Sequence, residues 1–517
     1  MKVPSVRRFL PSWKNVLLAV VAAILLILAF PDFEYWFLAW FALVPLLWAV
    51  DREKESAAKS FVLGWIFGIV FFFGTCWWLT FAPITYAGFP VILAYFLLFC
   101  ATAVVGIFPA IFTAILSILL RRFGSVTMLV APFIWVATEF ARYWITGNNW
   151  NAIAYSQAFR VRGTELASIG GIYLIGFFIL LFASLMVLGR HSRIWGALCF
   201  LILVVYAVTS NSVANYRLEN GVKPTDQVIA IQPNVPMDGL NEPRWRQLRL
   251  EHTVLAERAL QSAQRLTTED RPLTTVIFPE SPMNFMFHDD TEFQAFIHAF
   301  AAKNNVNVLF NSAEPDPANK KYFNSAVMVD PQGREVAQYD KIYLLPFGES
   351  VPFPLQNFMP ALVGSFSYGK DYTLFPLGDA KAGVMICFES HFPDLSREYV
   401  RRGADAIIEM TNDGYLGKTP VLRQHLANAV FRAVETNRPV LRVTNVGITA
   451  YINEQGKVID PAASYTEDTR VWTVGKSDGS QTFYVKYGDW FAWLSVIVTL
   501  VFLTFAFWKK NQKSADS

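Results

Sequence analysis

Long apolar runs crowd the first two-fifths of the chain and recur once near its end, whereas the rest alternates short apolar and polar blocks. A helix needs about 20 apolar residues to cross a bilayer core. Seven stretches before residue 212 meet that need, at roughly 15–31, 36–50, 60–80, 90–119, 126–145, 166–189 and 194–211, and an eighth runs from about 489 to 508. The second is short enough to be a half-buried hairpin partner. Soluble cores do not string so many uncharged runs together, so a polytopic α-helical membrane domain of about eight spans is expected. Arg7, Arg8 and Lys14 precede the first run as they would in a signal peptide. That run is long and the next comes at once, which predicts an uncleaved helix.

From about 213 to 484 the pattern changes. Apolar, β-branched runs at 228–232, 274–278, 306–310, 382–386 and 406–410 predict strands, and helical spacing at 244–266, 291–303 and 420–435 predicts helices. Alternating strands and helices predict a layered α/β domain. The chain therefore divides into a seven-span membrane domain (1–212), an inserted extramembrane domain (213–484), and an eighth span with its tail (485–517). Segments 339–351 and 353–368 read as long irregular stretches, which tend to be functional. The second is rich in apolar residues. Together with Met283, Phe285, Met286 and Phe287 it either forms the mouth of a lipid-facing cleft or packs on the domain core.

Composition sharpens this. The 517 residues are 54% hydrophobic and 16% charged, against about a quarter charged in a soluble domain. A net charge of +3 leaves no strongly basic face for nucleic acid. The basic residues fall in every second loop: Arg52, Lys54 and Lys59, then Arg121 and Arg122, then Arg190 and Arg193, with Lys509, Lys510 and Lys513 in the tail. Basic loops stay cytoplasmic, so both termini are expected in the cytoplasm and 213–484 in the periplasm of a bacterial inner membrane. In the fifth span Glu139 and Arg142 stand three apart on one helix face. Charges at that depth are paired or functional, which predicts an internal salt bridge or, alternatively, a grip on a lipid headgroup.

Of four cysteines, Cys76, Cys100 and Cys199 fall inside spans, leaving Cys387 alone in the extramembrane domain with no disulfide partner there. It is either a small buried hydrophobe or a nucleophile. A strand runs straight into Cys387, and a tight strand-to-helix turn would expose the thiol to helix N-terminal N–H groups that lower its pKa. The strand at 274–278 likewise ends in Pro279-Glu280-Ser281, placing a carboxylate where open α/β sheets put ligands. Lys341 lies in Tyr339-Asp340-Lys341, ahead of Pro346-Phe347-Gly348-Glu349. A thiol, a carboxylate and an ammonium suffice for acyl transfer: one attacks, one relays the proton, one steadies the oxyanion. A glutamate base needs a raised pKa, which a partly apolar pocket gives; a neighbouring lysine pulls the other way. The histidines lack the i, i+4 pairing of a metal helix, so no metal or cofactor is expected. His391, near the cysteine, reads as structural, with a Cys–His pair as the outside alternative.

Glu280, Lys341 and Cys387, in that order, resemble the catalytic triad of the nitrilase (carbon–nitrogen hydrolase) superfamily, whose fold is an αββα sandwich. Asn412-Asp413, Arg438-Pro439, Arg442, Thr444-Asn445 and Gly447 are similar to its later blocks. Such a domain inserted between a seventh and an eighth span resembles the bacterial apolipoprotein N-acyltransferase family, and residues 135–157 (WVATEFARYWITGNNWNAIAYSQ) are similar to that family's membrane block. The resemblance implies Glu280 as general base, Lys341 as oxyanion stabiliser and Cys387 as nucleophile, with Glu349 and Glu389 as supporting acids. It implies a phospholipid donor, usually phosphatidylethanolamine, whose sn-1 chain passes through a cysteine thioester. The acceptor is the α-amino group of an S-diacylglyceryl cysteine on an apolipoprotein. Two departures stand out: Phe388 where the family often has Tyr, and no Trp directly after the block 232–236, with Trp245 further on. A membrane-tethered amidase or nitrilase acting on small molecules, and a catalytically dead scaffold, are the alternatives.

Overall fold

The computed structural model describes residues 9–160, 162–190, 192–219, 226–237, 241–264, 274–280, 285–351 and 366–515. The chain falls into two compact units, Met1–Asn215 with Tyr487–Ser517, and Tyr216–Lys486.

In the first unit, five helices among the described residues are long and apolar enough to span a bilayer: Ala57–Thr75, Val91–Phe123, Ala167–Gly189, Arg193–Val213 and Trp490–Trp508. Trp13–Ile27 is apolar but shorter. The predicted 36–50 span is two short helices, Leu38–Ala42 and Val44–Arg52, with Pro45 in the first turn of the second. Pro lacks the N–H that would continue the first helix. The 126–145 span opens as a 3₁₀ turn, Ser125–Val130, before the helix Ala131–Thr146. Small residues allow close helix packing, as elsewhere in membranes: a Cβ on Gly68 would meet the Gly106 Cα at 2.7 Å.

Glu139 and Arg142 are both buried, and each holds a backbone group of the 147–157 segment. Glu139 Oε1 accepts from Ile153 N at 3.1 Å, and Arg142 Nη1 donates to the Trp150 carbonyl at 2.8 Å. The expected internal salt bridge is instead a pair of clamps that fold this polar segment back onto the helix. Buried backbone groups need such partners wherever water does not reach them.

The second unit holds thirteen strands among its described residues. They are β1 (Asp226–Gln232), β2 (Thr274–Ile277), β3 (Val306–Asp316), β4 (Lys321–Val329), β5 (Glu335–Asp340), β6 (Phe366–Ser367) and β7 (Leu374–Leu377). The rest are β8 (Ala380–Ile386), β9 (Ala406–Thr411), β10 (Val440–Thr444), β11 (Ala450–Ile452), β12 (Val458–Ile459) and β13 (Asp468–Val474). One sheet runs β13-β1-β2-β3-β4-β5, with β6 beside β4; the other runs β12-β11-β10-β9-β8-β7. Strands β1 to β3 are parallel, as are β8 to β10. Helices Glu242–Gln264 and Thr291–Asn304 cover the first sheet, Pro393–Arg401 and Val421–Thr436 the second, and the two sheets face each other: an αββα sandwich.

All five predicted strands form. Two strands escape the apolar pattern: β5 alternates buried and half-buried positions from Ala337 on, and β4 opens on exposed Lys321 and Tyr322 and carries the buried polar Asn324 and Ser325. Phe285 and Phe287 belong to the core under the first sheet, with Phe285 stacked on Phe293 at 4.3 Å and Phe287 5.3 Å from Phe310. They therefore do not form the mouth of a cleft. Met283 and residues 353–365 lie outside the described residues.

Candidate active site

The strand ends bring the predicted residues together. Glu280 lies three residues beyond β2, Lys341 directly follows β5, Cys387 directly follows β8 and Asn412 directly follows β9. Side chains at the C-terminal ends of parallel strands share one crevice, and here both sheets contribute.

Lys341 is 1% exposed and sits between two carboxylates. Its Nζ is 2.9 Å from Glu349 Oε1 and 3.9 Å from Glu280 Oε1. Glu349 is fixed in turn by the Leu345 N–H at 2.8 Å. Asn324, on β4, ties the two acids together, donating its Nδ2 to Glu349 Oε1 at 2.6 Å and to Glu280 Oε1 at 3.2 Å. The Asn412 N–H donates to Glu280 Oε2 at 3.0 Å. The Cys387 thiol and the Glu280 carboxyl lie near enough for each to move the other's pKa.

Burial, reinforced by the nearby Glu349 charge, raises the Glu280 pKa, while Lys341, Asn324 and Cys387 pull it down. Burial alone would discharge Lys341, but Glu349 and Glu280 hold its pKa above the ordinary lysine value. The Cys387 thiol goes up, through burial and then the Glu280 charge, against the pull of Lys341. The expected lowering by a helix N-terminus fails for a geometric reason: the chain leaves β8 as a five-residue 3₁₀ turn, Cys387–His391, and not as an α-helix. Thiolate therefore forms only when its proton has somewhere to go, and the adjacent Glu280 carboxylate provides that place.

Glu389 shapes the turn. Its carboxylate accepts from Tyr339 Oη at 2.7 Å, Ile342 N at 2.8 Å, Tyr343 N at 3.0 Å and Ile386 N at 2.8 Å. It thus joins the Lys341 and Cys387 segments, and burial pushes its pKa up to about 7 against Lys341. Phe388 is buried with its ring 4.8 Å from His391 and 5.3 Å from Phe392. His391, 1% exposed, is a packed ring. Cys387 itself takes φ +52°, a conformation rare outside glycine and typical of held, functional positions. Trp245 packs at the edge of the first-sheet core.

The later blocks support this end of the sandwich. Asn445 Nδ2 donates to the Val235 carbonyl at 2.9 Å and to Asn412 Oδ1 at 3.1 Å. A Cβ on Gly447 would meet Asp413 Oδ2 at 2.4 Å. Asn324 is the site group that the sequence pattern leaves unmarked; Asn412, marked by its block, adds its backbone N–H to Glu280. No group of three or more metal-ligating side chains occurs among the described residues.

Residues 22–185 match the family model for the apolipoprotein N-acyltransferase N-terminal domain, and residues 252–482 that for carbon–nitrogen hydrolase. The chain is 31% identical over 518 residues to an apolipoprotein N-acyltransferase of Geobacter metallireducens, covering 96% of each chain. The chain belongs to the apolipoprotein N-acyltransferase family. A family member from Thermotoga maritima is 29% identical over 94% of this chain and 93% of its own. The solved structure of a Saccharomyces cerevisiae member of branch 10 of the nitrilase superfamily overlays with a TM-score of 0.35 at 17% identity, covering 49% of this chain and 91% of that one. Like the family, this chain is an enzyme of the membrane, carrying its carbon–nitrogen hydrolase fold on a chain with span-length apolar helices.

Proposed function

We propose that this chain takes the sn-1 fatty acyl chain of a membrane phospholipid, phosphatidylethanolamine foremost, and delivers it to the α-amino group of the S-diacylglyceryl cysteine that begins an apolipoprotein. Glu280 removes the Cys387 proton as the sulfur attacks the ester carbonyl, and Lys341 stabilises the oxyanion that forms. The carbon–oxygen bond breaks, Glu280 returns the proton to the departing lysophospholipid, and a thioester remains. The acceptor amine then attacks that thioester, Glu280 takes the amine proton, and the sulfur leaves and is reprotonated as the amide forms. Glu349 fixes Lys341, and Glu389 fixes the turn that carries Cys387. Neither metal nor cofactor is required.

The observation that carries this reading is that the strand ends gather Cys387, Glu280 and Lys341: the Glu280 carboxyl, its pKa raised, acts on the Cys387 thiol, and a buried ammonium stands 3.9 Å from that same carboxyl. A base that must both accept and return a proton works best with its pKa moved toward neutrality. Membrane anchoring fits lipid substrates, since drawing a sixteen-carbon chain into water would cost about 12 kcal/mol. Residues 213–484 form the catalytic domain and face the periplasm, and 1–212 with 485–517 form the membrane domain with both termini cytoplasmic. The alternation of basic loops supports this topology.

Expressing the Cys387→Ala variant in a strain depleted of lipoprotein N-acylation tests the reading. Loss of N-acylation is expected; full rescue would make the protein a scaffold. Hydrolysis of small amides, with no acyl transfer from lipid, would make it a tethered amidase.

A further inference from the structure

Beneath the Cys387 turn lie four charged side chains that the acyl-transfer scheme does not use. Glu409 sits on β9, Asp413 in the turn after it, His425 on the helix Val421–Thr436 and Arg442 on β10; each is at most 3% exposed. Arg442 Nη2 is 2.9 Å from Asp413 Oδ2 and its Nη1 reaches Glu409. His425 Nδ1 is 2.7 Å from Asp413 Oδ1, and its Nε2 is 3.2 Å from Glu409 Oε1. The His391 ring lies 6.2 Å from the His425 ring, and toward the site Cys387 is near enough to interact electrostatically with Arg442 and Asp413.

The cluster reaches Cys387 through its backbone, with His425 Nε2 3.1 Å from the Cys387 carbonyl oxygen. A carbonyl only accepts, so Nε2 carries a hydrogen. An ionised carboxylate also only accepts, so Nδ1, facing Asp413, carries one as well. The ring is then an imidazolium, and the buried cluster balances two positive against two negative charges. A neutral ring would leave one negative charge unmatched below the thiol, where burial makes it costly.

We propose that His425 is the positioning residue of the nucleophile, its Nε2–H gripping the Cys387 carbonyl and pinning the left-handed turn that presents the thiol to Glu280. The proposal rests on Cys387 being the acyl carrier. His425 touches no reacting atom; it acts by holding a backbone that a side-chain-bearing residue seldom adopts unaided. Burial and Arg442 oppose its charge, yet Asp413 and Glu409 push its pKa up to about 9, so the grip persists through neutral pH.

The test measures Cys387 alkylation by iodoacetamide in the full-length protein, without lipid, from pH 6 to 10. Peptide mass spectrometry separates Cys387 from Cys76, Cys100 and Cys199. His425→Leu is expected to slow Cys387 alkylation and the kcat of acyl transfer by about tenfold to a hundredfold, the size of a charge-assisted hydrogen bond lost at a reacting group. Donor KM stays unchanged. His425→Gln, which keeps an N–H donor, is expected to recover most of that loss. In the unaltered protein the alkylation rate should climb with pH and then bend downward above about pH 9 as the ring loses its proton, a readout available even where a variant fails to fold. A folded His425→Leu protein that alkylates within about twofold of the parent overturns the proposal, as does a parent profile rising as a single titration to pH 10. Intact acyl transfer in a Cys387→Ala variant overturns the acyl-carrier reading separately, since alkylation reports the turn without it.

Discussion

Replacing Lys341 by methionine keeps the aliphatic stem but deletes the one charge that lies between Glu280 and Glu349. At an effective dielectric constant of about 20, its 3.9 Å separation from Glu280 is worth about 4 kcal/mol. Removing one partner of a buried pair typically costs about 3–5 kcal/mol, because the other charge is left uncompensated. The variant can reduce that cost by keeping a proton on one of the two acids, since like charges in one pocket do not both ionise readily. That acid's pKa in the folded state then stands above its unfolded value. Its contribution to stability is present at low pH and lost as pH rises. Thermal midpoints of parent and Lys341→Met should therefore differ widely at pH 7.5 and less at pH 5. Transfer of a labelled acyl chain to a diacylglyceryl peptide should fall at least about a hundredfold at both, the usual cost of losing an oxyanion donor. Transfer within tenfold of the parent, or a midpoint difference independent of pH, would refute the reasoning.

The same geometry has other consequences. Asn324→Ala removes a hydrogen bond that lowers the Glu280 pKa, so the acid limb of the rate–pH profile should move to higher pH, with about 1–3 kcal/mol of stability lost; an unmoved limb would count against Glu280 as the base. Glu389→Gln turns an N–H donor toward the donors now facing its carboxylate. It should slow acyl transfer and Cys387 alkylation together, which parallel kinetics would check. His425, raised to about 9 in the fold from an ordinary 6.5, contributes stability that is complete below about pH 6.5 and lost as pH rises through about 9. The amount is about 3 kcal/mol, and a thermal midpoint that stays flat from pH 7 to 9.5 would contradict it.

What the sequence made legible was whatever depends on local pattern. Apolar β-branched runs marked β1, β2, β3, β8 and β9, and a strand running straight into Cys387 marked the turn. Asn324 was hidden because it is polar on a strand with a mixed face, and its value lies in two acids 44 and 25 residues away in sequence. The role of His425 was hidden for a similar reason. Spacing along its own helix does not show it, because its partners come from β9 and the turns after β8 and β9. The raised pKa of the thiol is not legible either, because the stretch after β8 reads as helix-forming, whereas the structure makes it 3₁₀ with φ +52° at Cys387. Phe285 and Phe287 show the converse: apolar side chains next to a candidate base are core unless the fold leaves them uncovered.

The central claim is that Cys387 carries the fatty chain. Incubating the purified protein with phosphatidylethanolamine labelled in its sn-1 chain, then measuring intact mass and mapping peptides, tests it directly. One labelled acyl group on Cys387, discharged by a diacylglyceryl peptide, is the expected result. A protein that transfers label to the peptide while Cys387 never carries it, or that still does so as Cys387→Ala, would contradict the account.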